Sequence, residues 1–300
     1  MRLDIILFFN TQTLDPSNRS LMKIGIQGTY GAFHEIAARH YFSDDVALTI
    51  VPIETFEELV DAVVEGETCD GALMAIENSI AGSLLQNYKL LKDNDLYIVG
   101  EVFLRIQQNL MLLSGQSLNE LTEVHSHPVA LMQCTAFFEK MPHVRLIEST
   151  DTAVSARMIQ QGQLRGIGAI ASTLAAEMYD LEIVAPSIET FKQNYTRFLV
   201  IQKTKNLVNR AIVNKASICF SLKDEVGSLY KVLAQLVLRN ASMTKIQSVA
   251  MPEVTWTYLF FLDFTFDKYN DFEVIMHEIK DFTADLRLLG TYEAGTYFGG

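Results

Sequence analysis

Four short segments carry side chains suited to acid, base or anion-binding work. Glu77-Asn78-Ser79, with Gly82-Ser83 behind it, follows the apolar run Gly71–Ile76. In open α/β sheets the carboxyl ends of strands face the ligand crevice. A carboxylate, an amide and a hydroxyl would be presented there together, although Asn and Ser are equally favoured as helix caps. Ser126-His127-Pro128 precedes Gln133-Cys134. Pro128 suits the first position of a helix; His127 could act as a base or as a cap, and Gln133 reaches a cleft only if its helix lines one. Asn194-Tyr195-Thr196-Arg197 stands just before the apolar run Phe198–Ile201. A strand start would hold Thr196 and Arg197 in fixed positions, and a guanidinium is the natural fork for a carboxylate; a surface turn is the other reading. In Gly28-Thr29-Tyr30-Gly31 the glycines would let the backbone approach a ligand beside a helix N-terminus. The segment has neither dinucleotide-binding nor P-loop spacing, and an ordinary tight turn stays open.

Several chemistries find no residues. Cys69, Cys134 and Cys219 lie far apart, with no pair at metal-ligand spacing and no disulfide framework. They read as buried thiols in a reducing compartment, which points to the cytoplasm. No Ser-His-Asp order is seen. A formal charge of −12 argues against binding a phosphate backbone, and an anionic ligand would need a locally positive pocket. No stretch approaches the roughly 18 apolar residues of a membrane span. Ile5–Phe9 is shorter than a signal-peptide core, and residues 1–21 read as an extension outside the fold.

The elements that position these segments follow from periodicity. Met22–Ile26 reads as a strand, followed by a helix from about Phe33, and Ala47–Val51 as another strand. Thr55 and Glu58 have capping-box spacing, and Phe56, Leu59, Val60 and Val63 repeat as an amphipathic helix that Gly66 ends. Gly71–Ile76 reads as a strand and Ser83–Lys92 as a helix. The rhythm implies a mostly parallel sheet with helices on both faces. Leu96–Ile106 is a longer β-rich run able to pass between lobes. Then come Val124 as strand, Pro128–Glu139 as helix, Val144–Ile147 as strand, Thr152–Gln161 as helix, and Ile167–Ala171 and Phe198–Ile201 as strands. Two α/β lobes with a cleft between them account for this order. Lys203–Lys215 reads as a linker. Beyond it, strand Ala216–Leu222, helix Val226–Leu238, strands Met243–Val249 and Trp256–Phe264, helix Phe272–Phe282 and strand Leu286–Tyr292 give βαββαβ, a ferredoxin-like module.

Taken together, the four segments resemble the motifs of the prephenate dehydratase family. The family patterns G-T-[FY]-[ST]-x-x-A, E-N-S-x-x-G-S, S-H-P-x-A-L-x-Q-C and N-x-T-R-F stand here as Gly28–Ala37 with variation, Glu77–Ser83, Ser126–Cys134 and Asn194–Phe198. In the first motif Gly31 replaces Ser or Thr, and His34 stands nearby. The tail resembles the ACT domain attached to these enzymes: Gly227-Ser228-Leu229-Tyr230 fits G-[AS]-L-[YL], whereas Arg239–Ile246 fits R-G-x-N-L-T-K-I only in part. Asn240 takes its Gly place and Ser242 its Asn place. The following E-S-R-P stands here as Gln247-Ser248-Val249-Ala250.

The resemblance implies a catalytic domain over residues 22–203, built as two type II periplasmic-binding-protein-like lobes, then a linker and ACT domain over 204–300, in a homodimer or homotetramer. It implies conversion of prephenate to phenylpyruvate, by loss of the ring hydroxyl and the ring carboxylate, with no metal or organic cofactor. Thr196 carries over as the hydroxyl near the leaving group, with Asn78, Ser126 and Gln133 orienting substrate and Thr196. Glu77 is the second candidate for the proton. Thr29 and Ser79 would line the cleft, and Arg197 would hold a carboxylate or brace its strand. Gly227, Ser228, Leu229, Ser242 and Ser248 would contact phenylalanine as effector. Arogenate, with an amino group on the side chain, is an alternative substrate the motifs do not separate. A solute-binding protein would share the lobes but needs a secretory signal. The effector domain of a transcription regulator needs a helix-turn-helix and a basic face.

Overall fold

The computed structural model describes residues 22–42, 47–204, 209–222, 225–250 and 258–299; the extension expected over 1–21 lies outside them. The chain opens with β1 (Met22–Gln27), α1 (Phe33–Phe42), β2 (Leu48–Ile53), α2 (Phe56–Glu65), β3 (Gly71–Asn78) and the short β4 (Gly82–Ser83). Next come α3 (Leu85–Asp93), β5 (Tyr97–Arg105), β6 (Asn109–Leu113), β7 (Glu123–Ser126), α4 (Pro128–Gln133) and α5 (Thr135–Phe138). They are followed by β8 (Arg145–Glu148), α6 (Thr152–Gly162), β9 (Ile167–Ala171), α7 (Thr173–Met178), β10 (Leu181–Ala185) and β11 (Tyr195–Gln202). The last elements are β12 (Lys215–Leu222), α8 (Ser228–Leu238), β13 (Ser242–Ala250), β14 (Tyr258–Thr265), α9 (Tyr269–Glu278), β15 (Thr283–Tyr292) and β16 (Tyr297–Phe298).

The described residues divide into two units. One holds 22–84, Val102–Phe198 and 297–299; the other holds Leu85–Glu101 and Leu199–Thr296. Two sheets organise the first. One has the order β16-β5-β11-β3-β1-β2, with β4 on β3, and the other β10-β6-β9-β7-β8. In the first sheet β1 pairs parallel with both β2 and β3, as the βαβα rhythm requires. The second sheet is mixed, because β6 runs antiparallel to β9 and β10. Each sheet forms one lobe, and the chain crosses between lobes after β5 and returns into β11. The crossing segments pair: Ile106 N–H donates to Asn194 C=O at 2.7 Å and Ile188 N–H to Gln108 C=O at 2.7 Å.

Local chemistry sets the element ends. The Thr55–Glu58 capping box forms in both directions, at 3.2 and 3.3 Å, and Gly66 closes α2 in the left-handed region. The helix expected over 128–139 is instead two helices broken at Cys134. The Thr135 hydroxyl donates to Met132 C=O at 2.8 Å, a local side-chain bond that competes with the helical ladder. β6, α7, β10 and β16 were not expected from periodicity. β11 begins three residues earlier than its apolar run, so Thr196 lies inside the strand.

In the second unit β12, α8, β13, β14, α9 and β15 realise the βαββαβ order, with the sheet order β13-β14-β12-β15. Strand β14 starts at Tyr258; Trp256, expected to open it, lies outside the described residues. Ile218, Phe220, Val232, Leu236, Leu262 and Phe264 form the heart of its core. Segment 97–101 packs closely on this module: a Cβ added at Gly290 would lie 2.0 Å from Ile98 O, so only glycine fits there.

Candidate active site

Asn78 ends β3 in a turn that fixes its amide. Its Oδ1 accepts from Ile80 and Ala81 N–H at 3.0 and 2.8 Å, which aims Nδ2 at β11. There Nδ2 donates to Asn194 Oδ1 at 2.8 Å and to Thr196 Oγ1 at 3.0 Å. Asn194 Nδ2 in turn donates to Gln133 Oε1 at 2.9 Å, and Gln108 Nε2 reaches the same oxygen at 3.4 Å. The run Gln133–Asn194–Asn78–Thr196 therefore crosses from one lobe to the other, and three of its four members are buried. Thr196 is half-buried. Its oxygen accepts from Asn78, and among the described hydrogen bonds none uses its proton. A hydroxyl that accepts one hydrogen bond is a better donor for the next. The arrangement thus presents one O–H, held at a fixed angle, to whatever oxygen lies before it.

The Gly28–Gly31 loop is a second seam between the lobes. Arg157 Nη1 on α6 donates to Thr29 Oγ1 at 3.1 Å, Tyr179 Oη donates to Tyr30 C=O at 2.7 Å, and Ser172 Oγ donates to Gly31 C=O at 2.6 Å. Gly31 has φ +86°, and a Cβ there would lie 2.9 Å from Ala175 Cα. No side chain fits, which explains why glycine stands where the family motif has Ser or Thr. Thr29 and Arg157 place a hydroxyl and a cation beside the carboxyl end of β1, two strands across the sheet from β11. Two strand spacings are roughly 10 Å.

Other expected residues lie elsewhere. Ser79 is tied to the backbone of β11: its N–H donates to Tyr195 C=O at 2.8 Å, and its hydroxyl accepts from Tyr195 N–H at 2.9 Å and donates to Gln193 C=O at 3.1 Å. Ser126 is fully buried and donates to Ile170 C=O at 2.7 Å, joining β7 to β9 rather than pointing at Thr196. Strand alternation sends Glu77 to the face of β3 opposite Asn78, and Arg197 to the face of β11 opposite Thr196. The Arg197 guanidinium lies over the Phe103 ring, 5.9 Å from its centroid. His127 takes the cap role; its Nδ1 accepts from Val129 N–H at 3.2 Å.

The residues expected to contact an effector are not all gathered within one chain. Gly227 caps α8 with φ 81°, Ser228 donates to Glu225 C=O at 2.9 Å, and Leu229 packs on the module core. β13 runs in the same direction as β12, since both are antiparallel to β14. Ser248 therefore lies toward the end of the sheet where α8 begins, whereas Ser242 is at the opposite end, level with Thr265.

Sequence reasoning missed four polar groups around the site. Asn194 is the hub of the lobe-crossing run, and Arg157 sits on the seam. Glu189 is buried, with Oε2 accepting from Gln108 N–H at 2.9 Å. Asp151 caps α6, and burial raises its carboxyl against the capping N–H groups of Val154 and Ala153. The capping Asp151 before Thr152–Ala153 was a readable helix-start signal. The others resemble ordinary surface polar residues. Among the described residues no group of three or more His, Cys, Asp or Glu is placed to hold a metal ion.

His34 sits edge-on to Phe198 at 4.8 Å, with Nε2 buried and without a hydrogen-bond partner. Burial lowers its pKa from 6.5 to about 3. A folded value below the unfolded one means the unfolded state binds the proton first. Stability from His34 is thus present above about pH 6.5 and is lost as pH falls toward about 3, at up to roughly 1.4 kcal/mol per pH unit. The wild type should lose more melting temperature than His34→Leu between about pH 6.5 and 4. Parallel loss in the two proteins would show that His34 takes up a proton without unfolding.

Fold and site together define a two-lobed α/β enzyme whose polar groups come from both lobes. The family model for prephenate dehydratase matches residues 24–206. The chain is 35% identical over 297 residues to arogenate dehydratase/prephenate dehydratase 2, chloroplastic, of Arabidopsis thaliana, covering 96% of this chain and 77% of that one. It is 33% identical to the bifunctional chorismate mutase/prephenate dehydratase of Aquifex aeolicus, covering 90% and 73%. Among solved structures, one described as a novel type of quorum-quenching acylase, GqqA, superposes with TM-score 0.81 at 28% identity, covering 91% and 98%. The prephenate dehydratase of Arthrobacter aurescens in complex with L-Phe superposes with TM-score 0.80 at 22% identity, covering 91% and 90%, a likeness of fold. This chain belongs to the prephenate dehydratase family, and its catalytic lobes have the type II periplasmic-binding-protein-like fold. It is a carbon–oxygen lyase of the hydro-lyase kind.

Proposed function

We propose that this protein converts prephenate to phenylpyruvate in the cytoplasm and is inhibited by phenylalanine acting on a C-terminal ACT domain. The observation that carries the reaction is the Asn78–Thr196 contact, in which the Thr196 oxygen accepts and, among the described hydrogen bonds, its proton is not used. Aromatisation of the ring drives loss of the C4 hydroxyl and of the ring carboxylate as carbon dioxide. Thr196 donates to the departing hydroxyl, whose negative charge grows in the transition state. Asn78 holds Thr196, and Asn194 and Gln133 hold Asn78. Thr29 and Arg157 receive the side-chain carboxylate about two strand spacings away. Their cation meets the need of an acidic chain for local positive charge. The ring carboxylate is to be expelled and needs no tight partner, because only stronger binding of the transition state raises the rate.

The βαββαβ order and the Gly227 cap support the ACT reading. Tyr230, Val237 and Leu238 of α8 and Met243 of the edge strand β13 are exposed apolar residues, which suits a homo-oligomer. Free, buried cysteines suit a reducing compartment. Arogenate is the second reading, favoured by the name of the Arabidopsis relative. A paired assay of the purified protein on prephenate and arogenate, each with and without millimolar phenylalanine, tests all of this. Faster turnover of prephenate, reduced by phenylalanine, is expected. Turnover of arogenate alone would transfer the site to the aminated substrate. Binding without turnover of either would leave a solute-binding protein, and activity insensitive to phenylalanine would leave the module an assembly element.

A further inference from the structure

On the face of β11 opposite Thr196, the Tyr195 ring meets Tyr297 of β16. We propose that residues 297–299 form a strap that positions Thr196 from behind, an inference that rests on the reaction assigned above. β16 adds in parallel to the edge of β5, with Tyr297 level with Phe103 and Phe298 with Leu104. Two residues of pairing hold a strand weakly, and aromatic contacts supply the rest. The Tyr297 ring stacks on Phe103 with centroids 4.7 Å apart and planes at 15°, and meets Tyr195 edge-on at 5.2 Å. Phe298 stacks on His40 at 3.8 Å, and Arg105 Nη1 donates to Gly299 C=O at 3.4 Å. Phe103 also carries the Arg197 guanidinium.

Tyr195 and Arg197 flank Thr196, and both lean on the Tyr297–Phe103 pair. Tyr195 C=O accepts from Ser79 N–H and from Asn78 Nδ2, at 2.8 and 3.3 Å. A shift of the Tyr195 backbone therefore disturbs both ends of the Asn78–Thr196 contact. Tyr297 is 69% exposed, so its ring adds little to the buried core. Its removal should cost geometry at Thr196 rather than fold stability, and a misplacement of order 1 Å at a reacting group can cost about 10²-fold in rate. The strap also follows β15 along the chain, with four residues between Tyr292 and Tyr297.

The test uses the full-length protein with Tyr297→Ala, Tyr297→Phe and a chain ending at Thr296. Tyr297→Ala and the shortened chain should lose about tenfold in kcat, with KM within about twofold and a melting temperature within about 2 °C of wild type. Tyr297→Phe keeps the ring and should retain nearly full turnover. Backbone amides over 194–198 should exchange faster in Tyr297→Ala, a readout independent of activity. Unchanged kcat with unchanged exchange would overturn the strap, as would a loss of rate explained by a lower folded fraction. If the wild type turns over neither substrate, the assigned reaction fails, and faster exchange on removing the ring still upholds the strap as a brace on β11.

Discussion

Replacing Thr196 by alanine is expected to lower kcat about 10²–10⁴-fold, roughly 3–5 kcal/mol of barrier, with KM little changed. The split follows from geometry. Thr196 offers one proton at the end of a hydrogen-bonded run, and its contribution grows only as charge develops on the leaving oxygen. Thr196→Ser keeps the hydroxyl but loses the methyl that restricts its rotation, so it should retain more activity than alanine. Asn78→Ala removes the group that holds the hydroxyl, together with the turn at 78–81, and should also be strongly impaired. Because the two residues act as a unit, the double variant should be little worse than Thr196→Ala alone. A Thr196→Ala enzyme near wild-type rate would take Thr196 out of the reaction. The strand alternation that turns Glu77 away from Asn78 would then have to be reconciled with a carboxyl donor.

The same residues show what the sequence made legible. The segments of Asn78, Gln133 and Thr196 stood out by residue type, the family resemblance gave the three residues their roles, and the lobe-crossing run joins all three. Asn194, the hub of that run, stood in the same motif but looked like a turn former. Its role arises only when β11 pairs beside β3, a contact across more than a hundred residues. Ser126 and Arg197 share the motif type but face backbone or aromatic partners, because a one-residue step along a strand reverses the face. Arg157 was unreadable for a different reason: a single arginine in an amphipathic helix looks like its solvated side. β16 had no periodicity to offer, being two residues long. The βαββαβ module was the most legible part, since each strand and helix carries its own apolar repeat, and the capping box of α2 needed only two residues three apart. Both signals are local. What escaped depends on which distant strand each element meets.

A lysine and a glutamate buried in the second unit should show the largest effect on stability. Lys215 Nζ lies 2.7 and 3.0 Å from the two Glu101 carboxylate oxygens, and Gly295 N–H donates to Oε1 at 3.0 Å. The side chains are 5% and 0% exposed. Two charges so far from water carry a large desolvation cost, which their attraction and the added hydrogen bonds must offset. Removing one partner takes from the other buried charge the opposite charge that lies 2.7 Å from it, so Lys215→Met and Glu101→Gln should each be strongly destabilising, by about 3–5 kcal/mol. Replacing both together, Glu101→Leu with Lys215→Met, removes the desolvation cost as well as the attraction. That double variant should recover most of the loss, because apolar substitutes for a buried pair are often neutral or better. Two units need not unfold in one step, so the measurement should be local: hydrogen exchange of the β12 and β15 amides against denaturant. A single-variant loss under about 1 kcal/mol would mean water reaches the pair and screens it like a surface bridge. A double variant as unstable as either single one would mean that Glu101 and Lys215 hold segment 97–101 on the module through hydrogen-bond geometry that apolar side chains cannot reproduce.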